Sequence, residues 1–205
     1  AMNLIIDDND HQLIHKVASI PSARVQIYFI DNDDYFARKA VLEDADGHYF
    51  PDNDERAIFF ARGVLETVKK LRWPPTIVHC HGWFTGVMPV YLKKVFADDP
   101  IFRHVKVVVS LYGDGFDGEL DKGFRTKIAN EGVKDKNLEF LDSPSYENLC
   151  RFVMNYADGV IVASEEVAPA VLEIARGSGK PLLEYQSPEA EDFFANYNRF
   201  YDEIQ

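Results

Sequence analysis

Short apolar runs separated by polar turns fill the first part of the chain. Residues 4–6 (L-I-I) and 17–20 (V-A-S-I) flank an acidic turn, and this pattern predicts a strand hairpin within residues 1–23. Residues 25–30 (V-Q-I-Y-F-I) are rich in β-branched and aromatic side chains and predict a third strand. The polar residues 31–54 are expected to form a long structured loop.

Apolar side chains recur with a period near 3.6 in residues 55–71, which predicts an amphipathic helix. Asp52 or Asn53 is expected to cap its N-terminus. The sequence W-P-P at residues 73–75 ends the helix, because proline cannot continue it.

From residue 76 the chain alternates between strand and helix patterns. Predicted strands cover residues 76–80, 105–111, 159–163 and 181–184, and predicted helices cover residues 85–96, 145–156, 168–176 and 189–204. The strands are almost continuously apolar, which is typical of a parallel sheet covered on both faces. We therefore expect a single α/β domain over residues 1–205, with three layers and a mainly parallel, Rossmann-like sheet.

The residues best suited to chemistry follow one of these strands. In residues 78–83 (V-H-C-H-G-W), an apolar strand is followed directly by His79, His81 and Trp83. Open α/β sheets bind ligands at the carboxyl ends of their strands. His79 and His81 point the same way on an extended strand, which would suit a metal pair, but no third ligand has the right spacing. The sequence therefore predicts no metal site.

The two histidines and the tryptophan allow more than one role. The pattern favours a buried core residue bonded to the backbone for His79, and a ligand contact for His81, since an imidazole can donate to a sugar hydroxyl or a phosphate oxygen. His81 is the one candidate catalytic residue. Trp83 can stack on a sugar ring or plug the base of the next helix, and the sequence favours neither.

Two other polar segments have simpler interpretations. The carboxylates and arginine of residues 52–56 (D-N-D-E-R) are typical of helix capping and ion pairing. The glycine-rich residues 113–118 lack the spacing of a phosphate loop or a calcium loop, and predict a mobile lid or a simple turn.

Composition narrows the classes of function. The chain has 205 residues and a net charge of -12, which argues against nucleic-acid binding but still permits a local anion pocket. No apolar run is long enough to cross a bilayer, so no membrane partner is expected. Cys80 and Cys150 form no disulfide pattern, and a cytoplasmic location is expected.

Five segments agree with one family pattern in order and spacing. They lie at residues 25–36, 52–60, 78–83, 89–93 and 155–164, within a match over residues 24–180. Four of them resemble the patterns V-Y-F-I-D, D-N-x-x-R-F, V-H-A-H-D-W and Y-A-D-x-V-x-T-V-S. These patterns are those of the amino-terminal domain of bacterial glycogen and starch synthases, which the chain resembles.

The resemblance implies one half of a two-domain GT-B glycosyltransferase. Such an enzyme transfers glucose from ADP-glucose or UDP-glucose to an α-1,4-glucan such as glycogen, and it requires no metal or other cofactor. His81 inherits the position that contacts the donor sugar in that family. The predicted substrate-binding residues are His81, Trp83, Asp52, Asn53, Arg56 and Tyr112.

The chain departs from the family pattern around this same site. Gly82 stands where the family has aspartate, and Phe84 where it has histidine. Tyr112 and Gly113 replace a histidine and an asparagine of the next loop. The family's leading strand with its K-x-G-G-L donor-phosphate loop, and its carboxyl-terminal domain, have no counterpart in this sequence. We therefore expect a stand-alone, amino-terminally truncated form of the domain.

Two functional hypotheses follow. The first is the glucan- and sugar-binding half of a synthase, inactive as an isolated chain because the reaction needs positioning between two domains. The second is a non-catalytic relative that binds glucan or a partner enzyme, or regulates glycogen metabolism. The expected partners are the glucan or nucleotide sugar, a separate polypeptide carrying the carboxyl-terminal domain, and a second copy of the chain joined through an exposed sheet edge.

Overall fold

The computed structural model describes residues 1–205, which form seven strands and seven α-helices. The strands are β1 (Met2–Ile6), β2 (Asn9–Ile20), β3 (Val25–Asp31), β4 (Ile77–His81), β5 (Lys106–Leu111), β6 (Gly159–Val162) and β7 (Leu182–Leu183). The helices are α1 (Asp33–Phe36), α2 (Asn53–Leu71), α3 (Val87–Val90), α4 (Phe124–Asn130), α5 (Tyr146–Met154), α6 (Pro169–Gly177) and α7 (Phe193–Ile204). None of the helices combines the length and hydrophobicity that a membrane crossing requires.

The strands form two separate sheets. Strands β4 to β7 pair in chain order as a parallel sheet with β4 at one edge, which confirms the predicted α/β class. Strands β1 to β3 form an antiparallel sheet that the sequence pattern did not separate from the first. Strands β1 to β3 pair antiparallel because the turns between them are short, whereas parallel neighbours need a crossover of roughly a dozen residues. Asp7 and Asp8 form one such turn, both with positive φ.

Alternate residues of the parallel strands enter different cores. Val107 of β5 belongs to the main core, which includes residues of α2, α3 and α5. Val108 points to the opposite face and packs with Ile161 of β6. On that face the cluster is completed by Phe200 and Ile204 of α7. The parallel sheet is therefore the central layer between α7 and the remaining helices.

The antiparallel sheet packs one face on α2 and leaves the other open. Leu4 and Leu13 are buried, and Gly63 of α2 allows close approach, since an added Cβ would lie 2.9 Å from Cγ2 of Ile30. The large apolar side chains exposed on the other face are Ile5, Ile20, Val25, Ile27 and Phe29.

The start of α2 differs from the expected capping. Asp52 occupies the N-cap position, but its side chain makes no capping hydrogen bond. Its carboxylate instead accepts two hydrogen bonds from Arg38, at 2.6 and 2.5 Å. The charged, two-pronged Arg38 contact is stronger than a single bond to a backbone amide, and it ties the preceding loop to the helix.

Other element boundaries also differ from the sequence pattern. The loop predicted over residues 31–54 contains α1, because the Asn32 side chain accepts from the backbone N–H of Tyr35 at 3.0 Å. The helix predicted over residues 85–96 divides into a 3-10 turn, α3 and a π-helical turn. The last helix begins at Phe193 because residues 187–192 form hydrogen-bonded turns first.

Candidate functional site

The carboxyl ends of β4 and β5 lie side by side and carry the two histidines. The parallel register places His79 beside Val108 and His81 beside Ser110. His79 and His81 share one face of β4, and their rings stack with centroids 4.0 Å apart and planes 25° apart. Cys80 points to the other face and is buried. The two histidines therefore point the same way, as the sequence predicts.

His79 is held by side chains rather than by the backbone. Its Nε2 lies 2.6 Å from Oγ of Ser110, and its Nδ1 lies 2.7 Å from Oη of Tyr201 on α7. Burial, and then the neighbouring His81, lower the pKa of His79 to about 4. His79 is therefore neutral at physiological pH, with one nitrogen donating and the other accepting.

His81 is the exposed member of the pair. Its Nδ1 lies 2.7 Å from the hydroxyl of Tyr112, and its Nε2 has no protein partner. Partial burial lowers the pKa of His81 below its ordinary value, which favours the neutral ring. When Tyr112 donates its O–H to Nδ1, the N–H of the ring lies on Nε2. This arrangement presents one hydrogen-bond donor to the solvent at the strand end.

The histidine pair offers little to a metal ion. Both nitrogens of His79 and one nitrogen of His81 already have hydrogen-bond partners. The one group of carboxylates and histidine whose ligand atoms are close enough for a metal lies elsewhere, at the exposed residues Asp44, Asp46 and His48.

Trp83 packs into the core before α3, which corresponds to the second of its two predicted roles. Only 7% of the residue is exposed, and its ring packs edge-on against Phe116 at 5.0 Å between centroids. The indole N–H is buried without a partner. Because the ring faces the core, stacking on a sugar would require the turn at Trp83–Thr85 to move.

Asp114 anchors this turn, and sequence reasoning did not single it out. Its Oδ2 accepts from the backbone N–H of Trp83 at 2.9 Å, and its Oδ1 accepts from the hydroxyl of Tyr146 at 3.0 Å. Phe116, two residues later, is buried. The glycine-rich loop is therefore held at Asp114 and Phe116, which favours the predicted simple turn over the alternative of a mobile lid. The one sequence signal was the aspartate between two glycines.

The remaining predicted site residues lie at the start of α2 and are structural in this conformation. Asn53 and Arg56 are 1% and 3% exposed, and Arg56 donates to Oδ1 of Asn53 and to the carbonyl of Tyr35. The Arg56 guanidinium also lies 5.6 Å from the ring centre of Phe84, behind the Trp83 turn. Substrate contact by Asp52, Asn53 and Arg56 stays a prediction, and burial disfavours it for the latter two.

Comparison with known proteins shows which family the chain matches. The family model described as the starch synthase catalytic domain matches residues 3–183. The glycogen synthase of Chlorobium chlorochromatii is 34% identical over 200 residues, covering 89% of this chain and 38% of that protein. The glycogen synthase of Chlorobaculum tepidum is 32% identical over 182 residues, covering 86% of this chain and 36% of the relative.

A solved structure shares the fold. The catalytic domain of starch synthase IV from Arabidopsis thaliana, bound to ADP and acarbose, superposes with a TM-score of 0.67 at 12% identity. The match covers 90% of this chain and 39% of that one. The chain spans between one fifth and two fifths of the length of the relatives it matches, for example 21% of the glycogen synthase of Chlorobium limicola. With a family model matching most of its residues and a GT-B-type fold, the chain belongs to the starch synthase catalytic domain family.

Proposed function

We propose that the chain is the glucan- and sugar-binding half of a glucosyltransferase that uses a nucleotide-glucose donor and an α-1,4-glucan acceptor. The observation that carries this proposal is the free Nε2 of His81 at the carboxyl end of β4. A neutral imidazole there is suited to donate to a sugar hydroxyl or a phosphate oxygen. Family membership supports the assignment, and the ADP in the related starch synthase structure supports a nucleotide-sugar donor.

We propose further that the isolated chain, as a single domain, binds these ligands without turnover. Glycosyl transfer depends on holding the donor and the acceptor in a fixed relative position. Gly82 and Gly113 remove two polar side chains of the family pattern from the site. These departures also favour the alternative, a non-catalytic glucan-binding or regulatory relative in glycogen metabolism.

Two measurements test these functions. The purified chain is incubated with glycogen and either ADP-glucose or UDP-glucose while nucleoside diphosphate release is followed. Binding is measured by glycogen co-sedimentation and by calorimetric titration with ADP. We expect binding without turnover, and about tenfold weaker binding in His81→Ala, the effect of losing about 1.4 kcal/mol.

The control variant is His48→Ala, which removes an exposed histidine from the loop before α2. Its affinities should equal those of the wild type. Turnover that disappears in His81→Ala would contradict the inactive-chain proposal. Absence of binding to both glycogen and ADP would overturn the sugar-binding proposal.

The partner that we propose is a second copy of the chain. The open face of the antiparallel sheet carries Ile27 and Phe29, and Phe29 is 53% exposed. Contact of these apolar side chains with water is unfavourable, so their burial against a second copy would stabilise a dimer. The charges at the centre of this face cancel, because Lys16 and Asp31 pair at 2.7 Å. Two copies can therefore meet here, although each carries a net charge of -12.

Light scattering coupled to size exclusion tests the association. We expect a dimer for the wild type and a monomer for Phe29→Lys, with Phe194→Lys as the control at an exposed position on α7. A monomeric wild type at about 100 µM, far above the dissociation constant of a specific interface of this kind, would overturn it. Association with only a separate polypeptide that carries the second domain would also overturn it.

We also propose that the protein is located in the cytoplasm. Cys80 and Cys150 are both free and buried, as expected for a protein in a reducing compartment. Fractionation of cells that express the tagged chain would test this, and recovery mainly outside the cytoplasmic fraction would contradict it.

A further inference from the structure

Helix α7 lies beyond the residues matched by the family model, yet it is part of the fold. The family match ends at residue 183, and α7 covers Phe193–Ile204. Phe200 and Ile204 are buried against β5 and β6. The chain carries glycine where Phe200 crosses β6, because a Cβ on Gly159 would lie 2.9 Å from Cζ of Phe200. These contacts of Phe200 and Ile204 therefore fix the position of α7 on the sheet.

This docking brings a tyrosine to the histidine pair. Tyr201 follows Phe200 in the chain, and its hydroxyl reaches Nδ1 of His79 at 2.7 Å. The opposite nitrogen of the same ring is held by Ser110, which is buried, at 2.6 Å. With both nitrogens engaged, the imidazole of His79 has a fixed orientation.

The fixed ring of His79 in turn supports His81. The two rings are stacked at 4.0 Å, so that rotation of the inner ring would displace the outer one. Tyr112 restrains the far side of His81 through Nδ1 and leaves Nε2 as the free nitrogen. A continuous series of contacts therefore runs from α7 to the exposed nitrogen at the end of β4.

We propose that Tyr201 is a positioning residue for this site: its hydroxyl orients His79, whose stacked ring places Nε2 of His81 for a ligand oxygen. The inference rests on the proposed function in one respect, namely that His81 contacts the sugar or phosphate. It goes beyond that function in assigning α7 to the ligand site. The ligand class is a glucosyl hydroxyl or a nucleotide phosphate, since each offers an oxygen to one N–H donor.

The test compares Tyr201→Phe with Tyr197→Phe on the same helix. Tyr201→Phe removes only the hydroxyl and keeps the ring that packs beside His79 at 5.8 Å between centroids. In the free protein, nitrogen-detected NMR of the histidine rings should show a changed Nδ1 shift for His79 in Tyr201→Phe alone. Affinity for ADP or maltoheptaose should fall about fivefold, as expected for one lost hydrogen bond, while Tyr197→Phe keeps wild-type affinity.

The outcomes separate this inference from the proposed function. A wild type that binds neither probe refutes the ligand role of His81, and the NMR measurement still decides whether Tyr201 orients His79. An unchanged His79 resonance in Tyr201→Phe overturns the inference. Equal losses of affinity in both tyrosine variants also overturn it, because they would indicate a general effect of α7. Thermal unfolding of both variants confirms that the fold is retained.

Discussion

The carboxylate of Asp114 lies where a side chain on Gly82 would begin. A Cβ on Gly82 would be 2.8 Å from Oδ2 of Asp114, too close for two non-bonded atoms. Gly82 also adopts φ 80° and ψ 165°, a conformation that is essentially restricted to glycine. The carboxylate beside the Trp83 turn therefore comes from the loop after β5, whereas the family pattern has an aspartate at position 82 itself.

Gly82→Ala should destabilise the protein through both effects, backbone strain and the contact with Asp114. We expect the free energy of unfolding to fall by about 3 kcal/mol, measured by urea denaturation. Gly118→Ala is the matched control, because Gly118 also has positive φ (70°) but an added Cβ meets nothing within 4 Å. It should cost only about 1 kcal/mol for backbone strain. Equal losses would show that the Asp114 contact does not matter.

Asp114→Ala should loosen the turn at residues 83–85. The substitution removes the acceptor of the Trp83 N–H and the nearer of the two acceptors of the Tyr146 hydroxyl, and we expect a loss of about 2 kcal/mol in unfolding free energy. Asp117→Ala removes an exposed carboxylate from the same loop and should change stability by less than about 0.5 kcal/mol. Similar values for the two variants would contradict the anchoring role of Asp114.

Gly159→Ala should weaken the docking of α7. The new methyl group would meet Phe200 at 2.9 Å, and overpacking of this kind costs about 1–3 kcal/mol. Phe200→Leu in the same chain should recover part of the loss, since it frees space at the contact. Gly177→Ala, where an added Cβ meets nothing, serves as the control. Thermal denaturation compares the wild type, the single variants Gly159→Ala, Phe200→Leu and Gly177→Ala, and the double variant. Additive losses in the double variant would rule out a direct contact.

The buried His79 predicts a loss of stability in mild acid. Its pKa is about 4 in the folded chain, below the ordinary value of 6.5, mainly because of burial. The unfolded chain therefore binds a proton near pH 6.5 that the folded chain binds only near pH 4. The stabilisation is complete above pH 6.5 and is lost as the pH falls towards 4, by about 1–2 kcal/mol after allowance for solvent screening.

Two measurements check this pH dependence. An NMR titration should show His79 half-protonated near pH 4. The difference in unfolding free energy between the wild type and His79→Gln should shrink as the pH falls from 6.5 to 4, which separates His79 from the carboxylates that also titrate in acid. A midpoint near 6.5 would show that the ring is not buried as described.

The local order of the chain is largely determined by the sequence. The periodic apolar residues of α2 and the apolar strands β4, β5 and β6 specify their elements directly, because burial of one or both faces imposes a repeat that can be counted. The five ordered segments also identified the family, since they preserve the residue types that the fold requires at strand ends. The position of His81 at the carboxyl end of β4 was predicted on this basis alone.

The tertiary structure decided what surrounds that histidine. Tyr201 is 122 positions from His79, and Asp114 is 31 positions from Trp83, yet each pair shares a hydrogen bond. It also decided that Trp83 faces the core. No repeat in the sequence encodes such contacts, because they arise only when α7 and the β5 loop pack against the sheet. The sequence by itself thus determined most of the elements and the family, and it predicts where the site lies. Packing between distant segments determined which side chains hold His81 in place and which of its nitrogens remains free.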